Sequence, residues 1–382
     1  MEPLPRNPIW TTVPQSPPLD LRQPFSDASV KDKHIVITGG ASGFGEGFVR
    51  CWAALGASIV IGDINVTRAE QLIAEVRKET GNDKLWFVKC DVRDWQEQVD
   101  LFNEALKLSP HKGIDVVVAN AGIAGPDPLI TPTLDGSDAP KKPNFKIVDI
   151  NLYGVLYTSY LGLYWLARNP GSKSAHTSSD PQQKRDRHLL LIGSVASLLP
   201  IAGQPLYGAS KHAVLGLFRA LRSSAFVSGV RVNMLCPYFM ETDIVPPAAR
   251  VLLAGGAMGK IESVVEGATR LVADASILGR ALVVGPRVKI KQEKDGHWTL
   301  VGLGRTGSRY HPQPEADDCG HDDVYETAMW EVHADDLEDS EHFTWRIVAL
   351  LNAVAKARGW KGWIHDMLKI VLDPLRRAFG VQ

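Results

Sequence analysis

Short apolar runs alternate with segments of helical spacing over most of this chain, from about residue 34 to residue 286. The runs are mostly apolar throughout rather than at every second position, which is typical of strands buried on both faces. Such strands, separated by helices, predict an α/β fold in which a doubly wound, seven-stranded parallel sheet is covered by helices on both faces. The predicted strands are residues 34–38, 57–63, 85–90, 114–119, 188–193, 230–236 and 281–285, and the predicted helices lie near 43–55, 66–80, 94–108, 146–168, 205–227 and 261–275.

The two ends of the chain differ from this core. Seven prolines in residues 1–30 predict an extended or disordered arm, because proline cannot continue a helix. Beyond residue 286 the alternation stops: residues 287–310 contain a possible hairpin, and residues 315–341 hold twelve acids and no Lys or Arg, which favours a solvated acidic linker. The expected organisation is an N-terminal arm (1–30), a core domain (31–286) and a mainly helical C-terminal extension (287–382) that ends in two helices, 342–357 and 362–379.

Tryptophan is concentrated in the extension. Half of the ten tryptophans lie in the last quarter of the chain, and this aromatic density indicates that the extension folds. Packing against the core or a second subunit is the first interpretation, a cover over a substrate pocket is the second, and an amphipathic helix on a membrane surface is the third. The five tryptophans are Trp298, Trp330, Trp345, Trp360 and Trp363.

Composition excludes several classes of partner. The 42 Lys and Arg residues nearly balance the 43 Asp and Glu residues, so the formal net charge is −1 and no positive field exists for bulk binding of nucleic acid. No apolar segment is long enough to span a bilayer, so membrane contact is expected to be peripheral at most. The four cysteines form no CxxC pair and no metal-ligand pattern, which favours a reduced, cytoplasmic setting and predicts no bound metal. They are Cys51, Cys90, Cys236 and Cys319.

The first predicted strand runs directly into a glycine-rich loop that opens the first helix. Residues 35–45 read IVITGGASGFG and contain the spacing TGxxxGxG. Glycine allows a tight turn and a close approach of the backbone to phosphate groups, and a helix N-terminus offers free N–H groups. This context predicts a dinucleotide-binding loop. Its residues are Thr38, Gly39, Ser42, Gly43, Phe44 and Gly45.

Asp63 ends the second predicted strand, 24 residues after Gly39. An acid at this place accepts hydrogen bonds from the adenosine ribose hydroxyls and repels a 2′-phosphate. Ile64 follows it, and Phe44 stands in the glycine loop where a basic residue could serve NADP. The sequence therefore favours NAD over NADP as the cofactor.

Tyr207 and Lys211 stand four residues apart at the start of a predicted helix, so they share one helix face. An ammonium group there stabilises phenolate and lowers the tyrosine pKa from its usual value of about 10, which allows tyrosine to act as a general base. Ser194, at the end of a strand, is placed to hold a substrate oxygen. Asn151, which we expect to begin a helix, is placed to anchor a water near the lysine. Each residue alone is more often a cap, a turn residue or surface packing, and the prediction rests on their combination with the glycine loop.

Together these motifs resemble the classical short-chain dehydrogenase/reductase family over residues 34–286, which implies a Rossmann-like fold. The matching segments include TGGASGFG from Thr38, CDV from Cys90 and NAG from Asn120. The resemblance implies that Tyr207 is the acid/base and that Ser194 polarises the carbonyl. It also implies that Lys211 binds the nicotinamide ribose and tunes the tyrosine, and that Asn151 supports a proton relay. The cofactor contacts implied beyond the glycine loop are Asp63, Ile64, Asp91, Val92, Asn120, Gly122, Tyr207, Lys211, Pro237 and Thr242.

Residues 200–219 and 230–242 look like the NAD-dependent 15-hydroxyprostaglandin dehydrogenase branch of that family. In that branch a glutamine at the position of Gln204 contacts a substrate oxygen, which makes Gln204 and Ser194 expected substrate contacts. One departure follows Pro237: members usually have glycine next, and this chain has Tyr238, whose ring is expected to line the substrate pocket. Thr242 keeps its place and is expected to hold the carboxamide.

The resulting hypothesis is an oxidoreductase that transfers a hydride between NAD and a secondary alcohol or ketone. The substrate is expected to be a mainly apolar small molecule, lipid-like or a polyketide or terpenoid intermediate. Two alternatives stay open: an NADPH-dependent ketoreductase of secondary metabolism, and a catalytically idle nucleotide-binding or membrane-recruited protein. The resemblance also implies a homodimer or homotetramer, with an interface formed by the 146–168 and 205–227 helices. The first of these helices carries a tyrosine stripe, Tyr153, Tyr157, Tyr160 and Tyr164.

Overall fold

The structure is a computed structural model that describes residues 15–130, 141–180, 183–224, 228–240, 258–292, 298–303, 324–332, 343, 345–357 and 359–361. All seven predicted parallel strands are present, and their residues are buried as the sequence predicts, except in the edge strand β3, where only Leu85 is buried. These strands are β1 (His34–Thr38), β2 (Ser58–Asp63), β3 (Leu85–Lys89), β4 (Val116–Ala119), β5 (His188–Ile192), β6 (Arg231–Pro237) and the first part of β7 (Ala281–Gln292).

The parallel strands lie side by side in the order β3-β2-β1-β4-β5-β6-β7. The chain moves from β1 towards one edge of the sheet and then returns to the other side of β1 with β4, so the strand order reverses between these two strands. In sheets of this kind, ligands bind outside the carboxyl ends of the strands at such a reversal. The glycine loop follows β1 and Asn120 follows β4, so both lie at that point.

Successive side chains of a strand point to opposite faces of the sheet, so strands that are apolar throughout make both faces apolar. Helices cover both of these faces. Ile35 and Ile37 pack with Phe48 on one face, whereas Val36 packs with Phe102 on the other. The helices are α1 (Gly43–Ala54), α2 (Val66–Thr80), α3 (Trp95–Leu108), α4 (Lys146–Val148), α5 (Val155–Leu166), α6 (Pro205–Ser224) and α7 (Ile261–Ala273), and a π-helical turn, Asp149–Gly154, joins α4 to α5.

The C-terminal extension makes the sheet larger than predicted, because it adds two antiparallel strands. β7 continues past the expected domain boundary, and β8 (Trp298–Leu303) pairs with its second half as the expected hairpin. β9 (Val324–Val332) pairs with β7 from Ala281 to Lys291. Part of the expected acidic linker is therefore a strand. The acids of this stretch flank an apolar segment, in which Ala328 and Met329 are buried.

The described part of the proline-rich arm is extended and docked on the core. Ser16 donates from its N–H and its hydroxyl to the carbonyl of Leu278, at 3.1 and 3.2 Å. The N–H of Leu19 donates to the Glu331 carboxylate of β9 at 2.8 Å, and Glu331 forms an ion pair with Arg280 at 3.2 Å. The arm, β7 and the extension thus meet at one buried carboxylate.

Residues 345–357 are helical, within the helix predicted for 342–357. Val348 is buried, but Trp345 and Trp360 are 56% and 68% exposed, so aromatic density did not predict burial for these two side chains. In the described part of the chain, no helix has both the length and the apolar character needed to cross a bilayer. Residues 1–14, the predicted 362–379 helix, Trp363 and Cys319 lie outside the described residues.

A buried ionic cluster closes the opposite, amino-terminal edge of the sheet. Asp186, just before β5, accepts from Lys33 Nζ and from Arg231 Nη2, each at 2.7 Å. Burial alone would raise the pKa of Asp186, but Arg231 and Lys33 together lower it well below its ordinary value. Both cations also donate to the carbonyl of Val272 at the end of α7. The cluster therefore fastens three strands and a helix at the edge that faces away from the glycine loop.

Replacing Asp186 with Asn should destabilise the fold, because two buried cations lose their counter-charge. We expect the free energy of unfolding, measured by urea denaturation, to fall by about 3–5 kcal/mol, the usual cost of breaking a buried ion pair. Glu104→Gln is the control, since it disrupts an exposed pair with Lys107 and should leave that free energy nearly unchanged. Equally small losses in the two variants would contradict this role for Asp186.

Candidate active site

The loop between β1 and α1 has the backbone geometry of a phosphate cradle. Gly39 and Gly43 have φ values of +65° and +57°, in the left-handed region that favours glycine. A side chain on Gly45 would collide with the carbonyl oxygen of Gly39, whereas one on Gly43 would project into open space. The loop therefore packs closely on the helix while the approach over Gly43 stays open. This arrangement fits the pyrophosphate of a dinucleotide at the N-terminus of α1.

Asn120 holds the glycine loop from the neighbouring strand. Its Nδ2 donates to the carbonyl oxygens of Thr38 and Gly39, at 3.0 and 2.8 Å. Its backbone N–H donates to the Thr38 hydroxyl at 3.2 Å. The side chain expected to lie near the cofactor thus shapes the loop. Ser42, the residue before α1, has an exposed side chain, and Phe44 packs against the core beneath the loop.

Asp63 connects the end of β2 to the glycine loop. Its Oδ2 accepts from the N–H of Ala41 and its Oδ1 from the N–H of Asn65, both at 2.9 Å. Each carboxylate oxygen keeps capacity for a further hydrogen bond, so the side chain fits a ribose hydroxyl. Ile64 beside it is 61% exposed and offers an apolar surface at the same place.

Asp91 and Val92 follow β3, where adenine contacts are predicted. Asp91 forms an ion pair with Arg93 at 2.6 Å, and hydrogen bonding to this arginine lowers the pKa of the Asp91 carboxyl group. Val92 is buried and packs against Gly154, where an added Cβ would lie 2.7 Å from it. Both residues lie beyond the carboxyl end of β3, and their contact with adenine stays a prediction.

The four residues predicted for catalysis converge at the carboxyl edge of the sheet. Lys211 Nζ lies 5.9 Å from the centroid of the Tyr207 ring, one turn away on α6. The Ser194 side chain lies close enough to the Tyr207 phenol to lower the pKa of that phenol. A Cβ on Gly122 would lie 3.4 Å from Asn151 Oδ1 and 3.5 Å from Lys211 Nζ. Glycine at this position therefore leaves room between Asn151 and Lys211.

Burial controls the protonation of the lysine and the tyrosine. Lys211 donates to the carbonyl of Ile192 at 3.1 Å, and burial lowers its pKa to about 8, against a small opposing effect of Cys236. Burial raises the pKa of Tyr207, whereas its hydrogen bond with Ser194 lowers it. At neutral pH the lysine is therefore mainly a cation and the tyrosine keeps its proton. The lowered tyrosine pKa expected from the sequence is wrong for the cofactor-free protein, because burial outweighs the effects that favour phenolate.

The hydroxyl of Ser194 is oriented by a short 3₁₀ turn, Val195–Ser197. Ser194 Oγ accepts from the N–H of Ala196 at 3.1 Å, and the N–H of Ser194 donates to Ser197 Oγ at 3.2 Å. Because Oγ acts as an acceptor towards the backbone, its own proton can be donated to another oxygen. Sequence reasoning missed Ser197, although its spacing of three residues from Ser194 is that of a capping box.

Asn151 lies inside the π-helical turn Asp149–Gly154, not at the start of a helix as expected. Its Oδ1 accepts from the N–H of Ile123 at 2.8 Å, and its Nδ2 donates to the carbonyl of Ile123 at 2.9 Å. Nδ2 also lies 3.4 Å from Ser210 Oγ, next to Lys211. Turns of this kind are rare and frequently occur at functional sites. Helical spacing alone did not reveal this one.

Two of the predicted substrate residues, Gln204 and Tyr238, lie just before α6 and just after β6. Gln204 Nε2 donates to the carbonyl of Gly125 at 3.2 Å, and its buried Oε1 has no hydrogen-bond partner among the described residues. Pro237 ends β6, and the N–H of Tyr238 donates to the carbonyl of Val284 at 2.7 Å. Thr242 lies outside the described residues. Their contact with substrate stays a prediction.

Asp127 is a further residue that sequence reasoning missed. It is buried and accepts from the N–H of Leu206, beside Tyr207, at 2.7 Å. Its only signal was a place in the turn signature Gly125-Pro126-Asp127. Across the described ranges, no group of three or more His, Cys, Asp or Glu residues is arranged to hold a metal ion.

A family model described as short chain dehydrogenase matches residues 33–250. The chain is 34% identical over 300 residues to 5′-hydroxyaverantin dehydrogenase of Emericella nidulans, which covers 74% of this chain and 93% of that protein. It is 31% identical over 288 residues to the enzyme of the same name from Dothistroma septosporum, with 71% and 90% covered.

Relatives with either cofactor in their names also match. The NAD(+) enzyme 15-hydroxyprostaglandin dehydrogenase of Homo sapiens is 31% identical over 218 residues, with 56% of this chain and 71% of that protein covered. An NADP-dependent dehydrogenase of Cochliobolus lunatus is 32% identical over 261 residues, with 65% and 86% covered.

Among solved structures, 3-ketoacyl-(acyl-carrier-protein) reductase from Brucella melitensis, complexed with NADH, matches with a TM-score of 0.54 and 25% identity. The match covers 67% of this chain and 97% of that one. The fold and the order of the motifs along the chain agree with these matches. The resemblance to the short-chain dehydrogenase/reductase family, inferred from the motifs, is confirmed. The protein is an oxidoreductase that acts on CH–OH groups, and the chain belongs to the short-chain dehydrogenase family.

Proposed function

We propose that the protein interconverts a secondary alcohol and its ketone on a mainly apolar small molecule, with Tyr207 as the general acid/base. The observation that carries this proposal is the convergence of Tyr207, Ser194 and a buried Lys211 beside the glycine loop. A bound nicotinamide dinucleotide supplies the hydride acceptor or donor. A binding protein without catalysis has no need for this set, and burying a lysine without use is costly.

In the oxidative direction the phenolate form of Tyr207 takes the proton of the substrate hydroxyl, and in the reductive direction the phenol of Tyr207 returns that proton. Ser194 donates its hydroxyl proton to the substrate oxygen, since its own oxygen already accepts from the Ala196 N–H. The Lys211 cation favours the phenolate form of Tyr207, because an opposite charge nearby stabilises an ionised group. Asn151, facing Lys211 across Gly122, anchors the water that passes the proton to solvent.

The substrate class follows from the surface beside Tyr207. Leu129 and Ile130 lie in the segment after β4, whose Asp127 binds the Leu206 N–H, and Leu199 lies in the segment that leads into α6. Each of the three is more than half exposed. An apolar ligand that covers them removes apolar surface from water, at about 25 cal/mol per Å². Two relatives are named for the dehydrogenation of 5′-hydroxyaverantin, which supports an intermediate of secondary metabolism as the substrate.

NAD is the proposed cofactor. Asp63 places a carboxylate beside the glycine loop, where a 2′-phosphate would be repelled. The basic residue on the next helix, Arg68, is held by Glu46 at 2.6 Å and by Glu75 at 3.2 Å. Both acids compete with a phosphate for this guanidinium. NADP is the alternative, and it is the cofactor named for the Cochliobolus lunatus relative.

The proposed assembly is a homodimer through α5. Tyr153 of the preceding π-helical turn is exposed, as are Leu156 and Tyr160 of α5. Trp95 of α3 makes edge-to-face contacts with Tyr157 and Tyr160. Such an aromatic surface is typical of an interface. The proposed location is the cytoplasm, which suits the described cysteines, all of which are free thiols.

Tyr207→Phe should abolish turnover, because it removes the phenol oxygen that accepts and returns the substrate proton. We expect kcat to fall by at least about 10²–10⁴-fold. The assay is NADH formation with a panel of secondary alcohols, and NADH binding, followed by tryptophan fluorescence, should survive. Tyr325→Phe on β9 is the matched control and should keep wild-type activity. Full activity in Tyr207→Phe would refute the assignment.

The phenol of Tyr207 should titrate above its usual value of about 10 in the cofactor-free protein, because burial raises its pKa. Subtracting the phenolate absorbance of Tyr207→Phe from that of the wild type isolates this group. Ser194→Ala should raise the pKa further, since it removes the hydrogen bond that lowers it. A midpoint below 10 in the free protein, or a lower one in Ser194→Ala, would contradict this account.

Asp63→Asn should relax discrimination against NADP. The amide oxygen can still accept from the Ala41 N–H, so the contact with the glycine loop is retained while the negative charge and the Asn65 contact are lost. Asp63→Ala removes the acceptor as well and should raise the KM for NAD about tenfold to a hundredfold, since hydrogen bonds to charged groups contribute about 1.5–3 kcal/mol. An unchanged ratio of kcat/KM values for NAD and NADP in both variants would reject Asp63 as the determinant.

A further inference from the structure

The carboxylate of Asp127 joins two segments that border Tyr207. The residue lies in the segment after β4 and is only 4% exposed. Its Oδ2 accepts from the N–H of Leu206 at 2.7 Å, and its Oδ1 accepts from the N–H of Leu129 at 3.0 Å. Its carbonyl oxygen accepts from the N–H of Ile130 at 3.1 Å. One carboxylate oxygen therefore serves α6, and the other serves a turn of its own segment.

The N–H group that Asp127 binds belongs to the first turn of the helix that carries Tyr207. The first N–H groups of a helix have no partner within it and need another acceptor. Here Pro205 has no N–H, and the acceptor for Leu206 comes from a residue 79 positions away in the chain. A carboxylate also interacts favourably with the positive end of the helix dipole. Asp127 thus acts as a long-range N-terminal cap of α6.

A second hydrogen bond connects the same two segments. Gln204, just before α6, donates from Nε2 to the carbonyl of Gly125 at 3.2 Å. The residues just before α6 are mostly exposed: they include Leu199, Ala202 and Gly203, and Gly203 has a φ of +77°. Two hydrogen bonds therefore tie the start of α6 to the Gly125–Asp127 segment.

We propose that Asp127 is a positioning residue for the reaction: it fixes the first turn of α6 and thereby the hydroxyl of Tyr207 relative to Ser194 and Lys211. This proposal rests on the proposed function of Tyr207. The turn that Asp127 closes also carries Leu129 and Ile130, the exposed apolar side chains beside the site. The same carboxylate thus links the surface that receives an apolar substrate to the tyrosine that moves its proton.

Asp127→Ala tests the anchor directly. Amide hydrogen exchange in the peptide that covers the first turn of α6 should become faster than in the wild type. With a turned-over alcohol, kcat should fall about tenfold to a hundredfold, the usual effect of a small misplacement, while the dissociation constant for NADH should not change. The pH–rate profile should also move to a higher apparent pKa, because Tyr207 loses part of its contact with Ser194.

Two further variants separate positioning from general destabilisation. Asp94→Ala removes a helix cap from α3, where Asp94 Oδ1 accepts from the Glu97 N–H at 2.9 Å, and it should lower stability without changing exchange at α6 or the pH–rate profile. Asp127→Asn keeps one acceptor oxygen and should recover part of the lost kcat. If Asp127→Ala does not fold, Asp127→Asn carries the test through a smaller shift in the same readouts.

Wild-type exchange at the start of α6 in an Asp127 variant, together with an unchanged pH–rate profile, would overturn the proposal. An effect in Asp94→Ala as large as that in Asp127→Ala would also overturn it. If the wild type turns over no alcohol, the proposed function fails on its own. Faster exchange at α6 in Asp127→Ala would still support the anchor in that case.

Discussion

Burial of the parallel sheet on both faces is the constraint on which the rest of the structure depends. It requires strands that are apolar throughout and a helical segment between successive strands. Because each helical crossover returns the chain to the same end of the sheet, the carboxyl ends of all the parallel strands lie at one edge. The glycine loop after β1, Asn120 after β4 and Ser194 after β5 therefore meet, although they are far apart in the chain. At the opposite, amino-terminal edge, the buried ion pairs of Asp186 with Lys33 and Arg231 connect the strands.

Hydrogen bonds to the backbone give the site its local shape. Asn120 binds the backbone of the glycine loop, and Ser197 accepts from the N–H of Ser194. Asn151, in the π-helical turn, binds the backbone of Ile123. These contacts leave few degrees of freedom for the glycine loop and for the side chains of Ser194 and Asn151. Preorganisation of this kind reduces the rearrangement needed during the reaction. Asp127 extends the same principle to the helix that carries Tyr207.

The fold was predictable from the sequence because periodicity and glycine spacing are local signals. Apolar runs located all seven parallel strands, and the spacing of Tyr207, Lys211 and the glycine loop identified the family. The remainder depended on contacts between distant residues. Asp127 and Leu206 are 79 positions apart, and no local pattern links them. The strand β9 was not predicted, because the many acids of residues 315–341 indicated a solvated linker although Val324–Val332 contains several apolar residues.

The extension is part of the same sheet, since β9 pairs with β7 and Glu331 binds both Arg280 and the N-terminal arm. The extension therefore enlarges the sheet at β7.

The central claim of the proposed function is that hydride passes directly between the substrate carbinol carbon and the dinucleotide. The most direct measurement follows deuterium from the carbinol carbon of a labelled secondary alcohol, with mass spectrometry of the recovered dinucleotide. The account predicts one deuterium in the reduced dinucleotide for each ketone formed; ketone formation without label in the dinucleotide would contradict it.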